Sequence, residues 1–234
     1  MTAGTEASTP PAGGSTARRD ARRGALRALV ESYARRTPVR SVAVVGNRPM
    51  SPDRDRAAAV DDCDLVLRVN GFRLDCADDA PAYGRRVDVV FFHRGVVASR
   101  WFFQDYQDRL YLLVEPGRLH GEREALPDWW PADLGQVHVS NEDLTLALSR
   151  DLGFDTVRAG TWATTGTMAA WWARDAFPDA RLEVTGFSFH EEEVAPTWQH
   201  ASGRVMEITA EHDLGPERRF MREWVRGAAV RYWT

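Results

Sequence analysis

The sequence predicts an α/β fold, namely a Rossmann-like, doubly wound and mostly parallel sheet. Short β-branched apolar runs alternate with stretches of helical periodicity, which is typical of this class. The first run, 41–46, ends in glycine, as expected for a buried parallel strand that opens into a loop. Ligands bind such sheets at the carboxyl ends of the strands, so we expect the site in the loops after Val45, Val69 and Val184. Five further runs predict strands over 64–69, 87–92, 109–114, 137–139 and 181–186.

The chain divides into three predicted segments. Residues 1–16 are rich in Thr, Ala, Gly, Pro and Ser, the composition of a disordered tail. Residues 17–38 carry apolar residues at helical spacing among several arginines, which predicts an amphipathic helix. That helix could pack against the domain or bind a membrane surface or a polyanion through its basic face. Residues 39–234 are expected to form a single α/β domain, with helices over 142–152, 165–177 and 216–232. The polar stretch 187–209 is expected to be irregular, as in a functional lid.

Composition excludes several classes of function. All 30 basic residues are arginine, so Schiff-base and P-loop chemistry, which require lysine, are ruled out. A net charge of −4 argues against a nucleic-acid partner. Cys63 and Cys76 are too few for a disulfide framework and lack the spacing of a zinc site. No apolar run approaches the roughly 20 residues of a membrane span, and no secretory signal is evident, so we expect a cytoplasmic location.

Two asparagines follow predicted strands at the same edge of the sheet. Gly46 and Asn47 come after the first strand, and Asn70 comes after the second. The loop at Gly46 lacks the glycine pattern of a dinucleotide site. The two carboxamides could donate to phosphate or ribose oxygens without a metal, although Asn47 could equally be a turn residue.

Two further places could carry chemistry. Thr164, Thr165 and Gly166 precede a predicted helix, whose free amides could bind an anion, although an ordinary N-cap explains the threonines equally well. His212 precedes the last helix and could act as a general base, with Glu217 close enough in sequence to orient it or to neutralise its charge. A surface histidine without a function would have the same pattern.

In their order and approximate spacing, these elements resemble the motifs of the sialyltransferases of glycosyltransferase family 29. The chain resembles a bacterial-type member of that family. The resemblance extends over about residues 42–224. Three segments carry it: the large sialyl motif in 42–70, continued by 84–88; the small motif in 164–167 and 182–187; and the very small motif, in which four residues separate His212 from Glu217.

The resemblance implies roles for individual residues. In the family, asparagines of the large motif bind the CMP donor. The resemblance therefore assigns donor binding to Asn47 and Asn70, together with the adjacent Gly46. Its hydroxyl-glycine turn holds the nucleotide, which assigns donor binding to Thr164, Thr165 and Gly166. The very small motif assigns His212 as the base that deprotonates the acceptor hydroxyl, with Glu217 as its catalytic partner. A histidine of another short motif meets the donor phosphate in the family, and His200 is its nearest match here.

Two departures from the family pattern accompany the resemblance. Members of the secretory pathway join a cysteine of the large motif to one of the small motif, but residues 169–177 contain no cysteine. This fits a reducing compartment. The order of Trp198-Gln199-His200 is inverted relative to the family's histidine and aromatic motif. A second bacterial sialyltransferase family has a related nucleotide-binding layout, so the donor class is better supported than the exact family.

The resemblance implies an inverting transfer of an acidic sugar, sialic acid or a related ulosonate, from a CMP-sugar to a hydroxyl of a glycan or small-molecule acceptor. We expect no cofactor and no metal, because the acidic patterns at 53–55 and 62–64 are of a kind that arises by chance in an acidic chain. Two alternatives stay open at this point. They are a non-catalytic nucleotide or sugar-nucleotide binding protein, and another Rossmann-like transferase such as a methyltransferase.

Overall fold

The computed structural model describes residues 13–116, 130–189, 197–227 and 230–234. The strands are β1 (Ser41–Val45), β2 (Leu65–Val69), β3 (Val89–Phe92), β4 (Leu110–Leu113), β5 (Gln136–His138), β6 (Arg181–Thr185), β7 (Thr197–Gln199), β8 (Val205–Glu207) and β9 (Val230–Trp233). The helices are α1 (Gly13–Glu31), α2 (Arg54–Asp62), α3 (Thr145–Leu152), α4 (Thr156–Ala159), α5 (Thr165–Ala176) and α6 (Leu214–Arg226), and Tyr106–Asp108 forms a short 3₁₀ helix.

Seven strands form one parallel sheet in the order β5-β4-β3-β2-β1-β6-β9. The remaining two, β7 and β8, form an antiparallel hairpin. All six strands expected from the apolar runs are present, and every strand begins and ends within two residues of the expected bounds. The α/β fold class, with a Rossmann-like and parallel sheet, is confirmed.

Both faces of the sheet are covered, as the unbroken apolar runs require. Side chains alternate along each strand, so Val42 and Val44 point to one face while Ala43 and Val45 point to the other. The first face packs against α1, α3 and α5. The second face packs against α2 at β1 and β2, and against an aromatic cluster at β3 and β4. Members of that cluster are Phe72, Phe92, Trp101, Phe102, Tyr111 and Trp130.

The N-terminal helix differs from its predicted bounds of 17–38. It begins at Gly13, within the segment expected to be a disordered tail, and it ends at Glu31, while residues 1–12 lie outside the described part of the chain. After the helix, Asp64 accepts hydrogen bonds from the amides of Arg40 and Ser41 and so ties this segment to the sheet. Arginines of α1 form ion pairs with Asp143, before α3, and with Asp175 on α5. The basic face of α1 therefore packs against the domain.

The C-terminal segment corrects a second expectation. A single helix over 216–232 was predicted, but α6 ends at Arg226 and the chain continues into β9. Gly227 closes the helix with its amide on the Glu223 carbonyl, and Val230 and Tyr232 then pair with β6. β-branched and aromatic residues favour this strand. The segment 187–209, expected to be irregular, contains the β7–β8 hairpin, although its residues 190–196 lie outside the described part.

A fully buried arginine holds the loop after β2. Arg68 donates to the carbonyl oxygens of Arg73, Tyr83 and Arg86, and burial lowers its pKa to about 10. The Asp75 carboxylate accepts from the amides of the same loop. Such a network satisfies backbone groups that would otherwise be buried without partners. Among the described helices, none has both the length and the apolar character that a bilayer crossing requires.

Candidate functional site

The candidate site lies where the order of strands reverses. From β1 the chain proceeds to β2 on one side, whereas β6 returns on the other side of β1. The loops that leave β1 and β6 therefore diverge, and a crevice opens between them at the carboxyl edge. This is the edge at which the sequence placed the site.

Two glycines permit the close approach of these loops. The Gly46 amide donates to the Thr185 carbonyl at 2.8 Å, and the Arg48 amide donates to the Gly186 carbonyl at 3.0 Å. A Cβ atom on Gly46 would lie 2.2 Å from the Gly186 carbonyl oxygen. Gly186 itself has φ of 74°, a conformation that favours glycine. Neither position tolerates a side chain without movement of the backbone.

A cavity of about 950 Å³ occupies the crevice. That volume is within the usual range for small-molecule sites. The ends of β1, β2, β3 and β6, the starts of α5 and α6, and the β7–β8 hairpin surround it. All nine residues singled out from the sequence line this one cavity: Gly46, Asn47, Asn70, Thr164, Thr165, Gly166, His200, His212 and Glu217.

The two asparagines present their carboxamides at the ends of β1 and β2. Asn47 donates through Nδ2 to the Val69 carbonyl at 2.8 Å, while its Oδ1 is buried and has no hydrogen-bond partner among the described residues. Asn70 has φ of 47°, and its Oδ1 accepts from the His93 amide at 3.3 Å. The Val69 carbonyl thus orients Asn47 so that its Oδ1, an acceptor without a partner among the described residues, is available to a ligand.

The start of α5 is fixed by a buried carboxylate. Glu217, 4% exposed, accepts from the Thr164 amide at 3.0 Å, the Thr164 hydroxyl at 2.8 Å and the Thr167 hydroxyl at 2.5 Å. Thr164 is also the N-cap, and accepts from the Thr167 amide. The amides of Thr165 and Gly166, the first two positions of the helix, have no acceptor within it. They are suited to an anion, and the helix dipole adds to this.

Burial raises the pKa of Glu217, and this effect is partly offset by the threonine hydrogen bonds and by the charge of nearby His212. The sequence spacing suggested that Glu217 could orient His212, but the carboxyl group is hydrogen-bonded to Thr164 and Thr167, and His212 is hydrogen-bonded to Trp162. The carboxyl group joins the start of α6 to the start of α5 instead. The resulting contact fixes one wall of the cavity.

His212 is oriented by the backbone of Trp162. Its Nδ1 lies 3.0 Å from the Trp162 carbonyl oxygen, and the two rings meet edge to face with centroids 6.4 Å apart. A carbonyl oxygen only accepts, so Nδ1 carries the proton of the neutral imidazole. Nε2 is then unprotonated and can accept a proton, as a general base must.

A third histidine, His93, lines the cavity beside His200 and His212 and was missed in the sequence. It follows β3 directly, as Asn70 follows β2, so its position after a buried strand could have identified it. Burial lowers the pKa of His93, and the charge of His212 lowers it further. Burial also lowers the pKa of His200, followed by the charges of Arg204 and His93. Both rings are therefore biased toward the neutral form.

The β7–β8 hairpin closes one side of the cavity. At its turn, the His200 amide donates to the Arg204 carbonyl at 2.6 Å. The neighbouring Ala201 amide donates to the Asn47 carbonyl at 2.7 Å and so connects the hairpin to the loop after β1. Trp198 of β7 also lines the cavity. These contacts bring His200 to the donor-binding residues predicted at β1.

The acidic patterns at 53–55 and 62–64 have structural roles. Asp53 caps α2 by accepting from the Arg56 amide at 3.0 Å. Asp64 accepts from the Arg40 and Ser41 amides and pairs with Arg36. Within the described ranges, no group of three or more His, Cys, Asp or Glu side chains is arranged to hold a metal ion.

Comparison with known proteins identifies solved structures with a similar fold. No family model matches the chain, and no curated protein matches it. Two crystal structures of a mammalian sialyltransferase are similar, one of them in complex with Gal-beta-1-3GalNAc-ortho-nitrophenol. Their TM-scores are 0.57 and 0.58, and each is 16% identical over 83% of this chain and 69% of the other. At this identity the likeness concerns the fold, and the chain has the fold of these mammalian sialyltransferases.

Proposed function

We propose that the protein is an inverting glycosyltransferase that moves an acidic sugar, sialic acid or a related ulosonate, from a CMP-sugar to an acceptor hydroxyl. One observation carries the proposal. The nine residues that the family resemblance assigns, eight from the sialyl motifs together with His200, are far apart in sequence yet line a single cavity at the strand-order reversal of a sialyltransferase-like fold. Convergence of this kind is not required by the fold alone.

The CMP portion of the donor is assigned to the β1, β2 and α5 side of the cavity. The free amides of Thr165 and Gly166 donate to the phosphate oxygens. Oδ1 of Asn47 accepts from a ribose hydroxyl or from the cytosine amino group, because it is the acceptor that the protein leaves unpaired. Asn70 and His200 complete this side.

The transfer itself requires a base on the acceptor side. Nε2 of His212 takes the proton of the acceptor hydroxyl while that oxygen forms its bond to the anomeric carbon. The bond from the anomeric carbon to the phosphate oxygen breaks, and CMP leaves with the electron pair, which inverts the configuration at this carbon. The Trp162 carbonyl holds the proton on Nδ1, so that Nε2 is the ring nitrogen that takes the hydroxyl proton. Glu217 acts as a positioning residue, because it fixes α5 and α6 relative to each other.

The departing CMP gains negative charge, which the site can stabilise without a divalent ion. The amides at the start of α5 are preorganised donors of the kind that stabilise developing charge in transition states. The acidic residues that could have bound a metal instead cap helices or bind backbone amides. Metal-independent transfer is therefore part of the proposal.

Two finer assignments belong to the same proposal. Cys63 and Cys76 are free thiols, which suits a reducing compartment such as the cytoplasm. The acceptor class is a glycan or small molecule with a free hydroxyl. A galactose-containing disaccharide is the first acceptor to assay, because one similar structure holds such a compound.

A ligand panel tests the donor class. The unfolding temperature is measured with CMP, and in parallel with UMP, AMP, NADH and S-adenosylmethionine. Selective stabilisation by CMP is expected, since a ligand that binds only the folded state raises its stability. A response to S-adenosylmethionine or NADH, with none to CMP, would replace the proposal with the chemistry of that ligand. Binding of CMP without transfer to any hydroxyl acceptor would favour a non-catalytic binding protein.

A further inference from the structure

Arg218 presents unpaired donors at the wall of the cavity. It follows Glu217 on α6 and lines the cavity. Its Nε and Nη2 atoms are buried, and neither has a hydrogen-bond partner among the described residues. Charged donors buried without a partner are unfavourable, so a protein rarely keeps them unless something else supplies the acceptor. The neighbouring Glu217 carboxylate is not that acceptor, because it binds Thr164 and Thr167.

The other arginines that line the described cavity differ from Arg218. Arg94 forms an ion pair with Glu115 at 2.9 Å, so the charge of its guanidinium is balanced inside the protein. Arg48 is exposed, and its backbone amide binds Gly186. Arg218 therefore offers the cavity a half-buried guanidinium whose charge is not balanced by any side chain among the described residues. Its natural partner is an anionic group of a ligand.

We propose that Arg218 binds the carboxylate of the donor sugar and thereby selects an acidic sugar over a neutral one. This inference rests on the proposed function. In an ulosonate the carboxylate is bonded directly to the anomeric carbon, which is the atom that the acceptor attacks. The base at His212 must lie close to that carbon, and Arg218 is carried by the helix that begins just after His212. The planar fork of a guanidinium matches a carboxylate with two parallel hydrogen bonds.

The phosphate is a less suitable partner for Arg218. Free amides of Thr165 and Gly166 at the start of α5 already provide donors for it. The sugar carboxylate has no comparable set of donors among the residues assigned above. In this arrangement the amides of α5 bind the phosphate and Arg218 of α6 binds the carboxylate.

The test compares Arg218→Gln with Arg219→Gln, which removes the same charge from an exposed neighbour on α6. Arg218→Lys serves as a second variant, because it keeps the charge but loses the fork. The dissociation constants of CMP, CMP-N-acetylneuraminic acid and its carboxylate methyl ester are measured for each folded variant. Wild-type protein is expected to bind the acid about tenfold to hundredfold more tightly than the methyl ester, as for a charge-assisted contact.

In Arg218→Gln this preference for the acid should disappear, Arg218→Lys should be intermediate, and Arg219→Gln should match the wild type. The affinity for CMP alone should stay within about twofold in all of them, since CMP lacks the carboxylate. An equal loss for CMP and the CMP-sugar would make Arg218 a phosphate contact and overturn the inference. An unchanged preference in Arg218→Gln would also overturn it, while leaving the proposed function intact. Failure of the wild-type protein to bind CMP at all would overturn both.

Discussion

Two regions of the cavity use their polar groups in opposite ways. In the closed region, the polar groups are hydrogen-bonded within the protein, and the backbones of two loops are in direct contact. This region consists of Gly46, Gly186, Thr164, Thr167 and Glu217. In the open region, a residue that lines the cavity has a donor or acceptor without a partner among the described residues. It consists of Oδ1 of Asn47, Nε2 of His212 and the guanidinium of Arg218.

The difference separates residues that build the site from residues that contact a ligand. Glu217 and Arg218 are adjacent in sequence, yet Glu217 is fully hydrogen-bonded while two donors of Arg218 are unpaired. The two site residues of the segment 212–217 also belong to different regions, because His212 lies in the open region and Glu217 in the closed region. Substitutions in the closed region should therefore reduce stability, and those in the open region should reduce binding or transfer.

The largest effect on stability is expected from Glu217→Ala. The substitution leaves the Thr164 amide and two hydroxyls without their acceptor and opens a small cavity. We expect a loss of about 3 kcal/mol or more in the free energy of unfolding, measured in urea. Glu223→Ala, at an exposed position of the same helix, is the control and should lose far less. Equal losses in the two variants would contradict the structural role of Glu217.

Gly46→Ala should have the next largest effect. Its Cβ would lie 2.2 Å from the Gly186 carbonyl oxygen, so the loops after β1 and β6 must separate. Forced movement of this kind lowers the free energy of unfolding by about 1–3 kcal/mol. We also expect a loss of CMP affinity, because these two loops border the cavity. Gly24→Ala is the matched control, because an added Cβ there meets nothing within 4 Å and alanine favours helices. A Gly46→Ala protein with wild-type stability and CMP affinity would show that the close contact between Gly46 and Gly186 does not shape the site.

A smaller, pH-dependent effect is expected from Glu217→Gln. Burial raises the pKa of Glu217 above its ordinary value of 4.5. A raised pKa means that the folded state binds this proton more tightly than the unfolded state. The carboxyl group therefore contributes stability below about pH 4.5 that is lost as the pH rises through its folded pKa. Glutamine cannot titrate.

We thus expect the stability of the wild type, measured relative to Glu217→Gln, to fall as the pH is raised above about 4.5 and through the folded pKa of Glu217. Urea unfolding of both proteins across this range gives the difference. Effects of titrating groups that do not interact with Glu217 are shared and cancel in the comparison. A difference that is constant or that rises with pH would contradict a raised pKa at this position.

The smallest expected effect is that of a chelator. If the amides of α5 and the open groups stabilise the leaving CMP, the transfer rate in EDTA should equal the rate in its absence. The same assay with added Mg²⁺ or Mn²⁺ should give no increase. A rate that disappears in EDTA and returns with a divalent ion would show that the open region lacks a component of the site.

The central strands and much of the site could be predicted from the sequence, because both depend on local patterns. Buried parallel strands are continuous apolar runs, and Asn47 and Asn70 stand out as polar residues directly after them. The boundary between α6 and β9 could not be predicted, since the apolar pattern continues through Gly227 and only pairing with β6 distinguishes the strand. Helix α2 was missed because its nine residues, RDRAAAVDD, have little apolar periodicity.

The missed site residues illustrate the same limit. His93 could have been found by applying to β3 the rule that identified Asn70 after β2. Arg218 could not have been found, because the 30 arginines look alike in sequence and only the packing of α6 against the cavity leaves two of its donors without a partner among the described residues. The sequence spacing of His212 and Glu217 likewise suggested that the two side chains interact directly. In the fold, His212 is hydrogen-bonded to Trp162 and Glu217 to Thr167.

The central claim is that His212 is the base of a CMP-sugar glycosyltransferase, and the most direct test measures His212→Ala in two assays. One assay is CMP release from CMP-N-acetylneuraminic acid in the presence of an acceptor, and the other is the dissociation constant of CMP. We expect the transfer rate to fall on the order of 10²-fold or more, the scale of a removed general base, with CMP affinity within about twofold of the wild type. An unchanged transfer rate, or a loss of CMP affinity as large as the loss of rate, would contradict the claim.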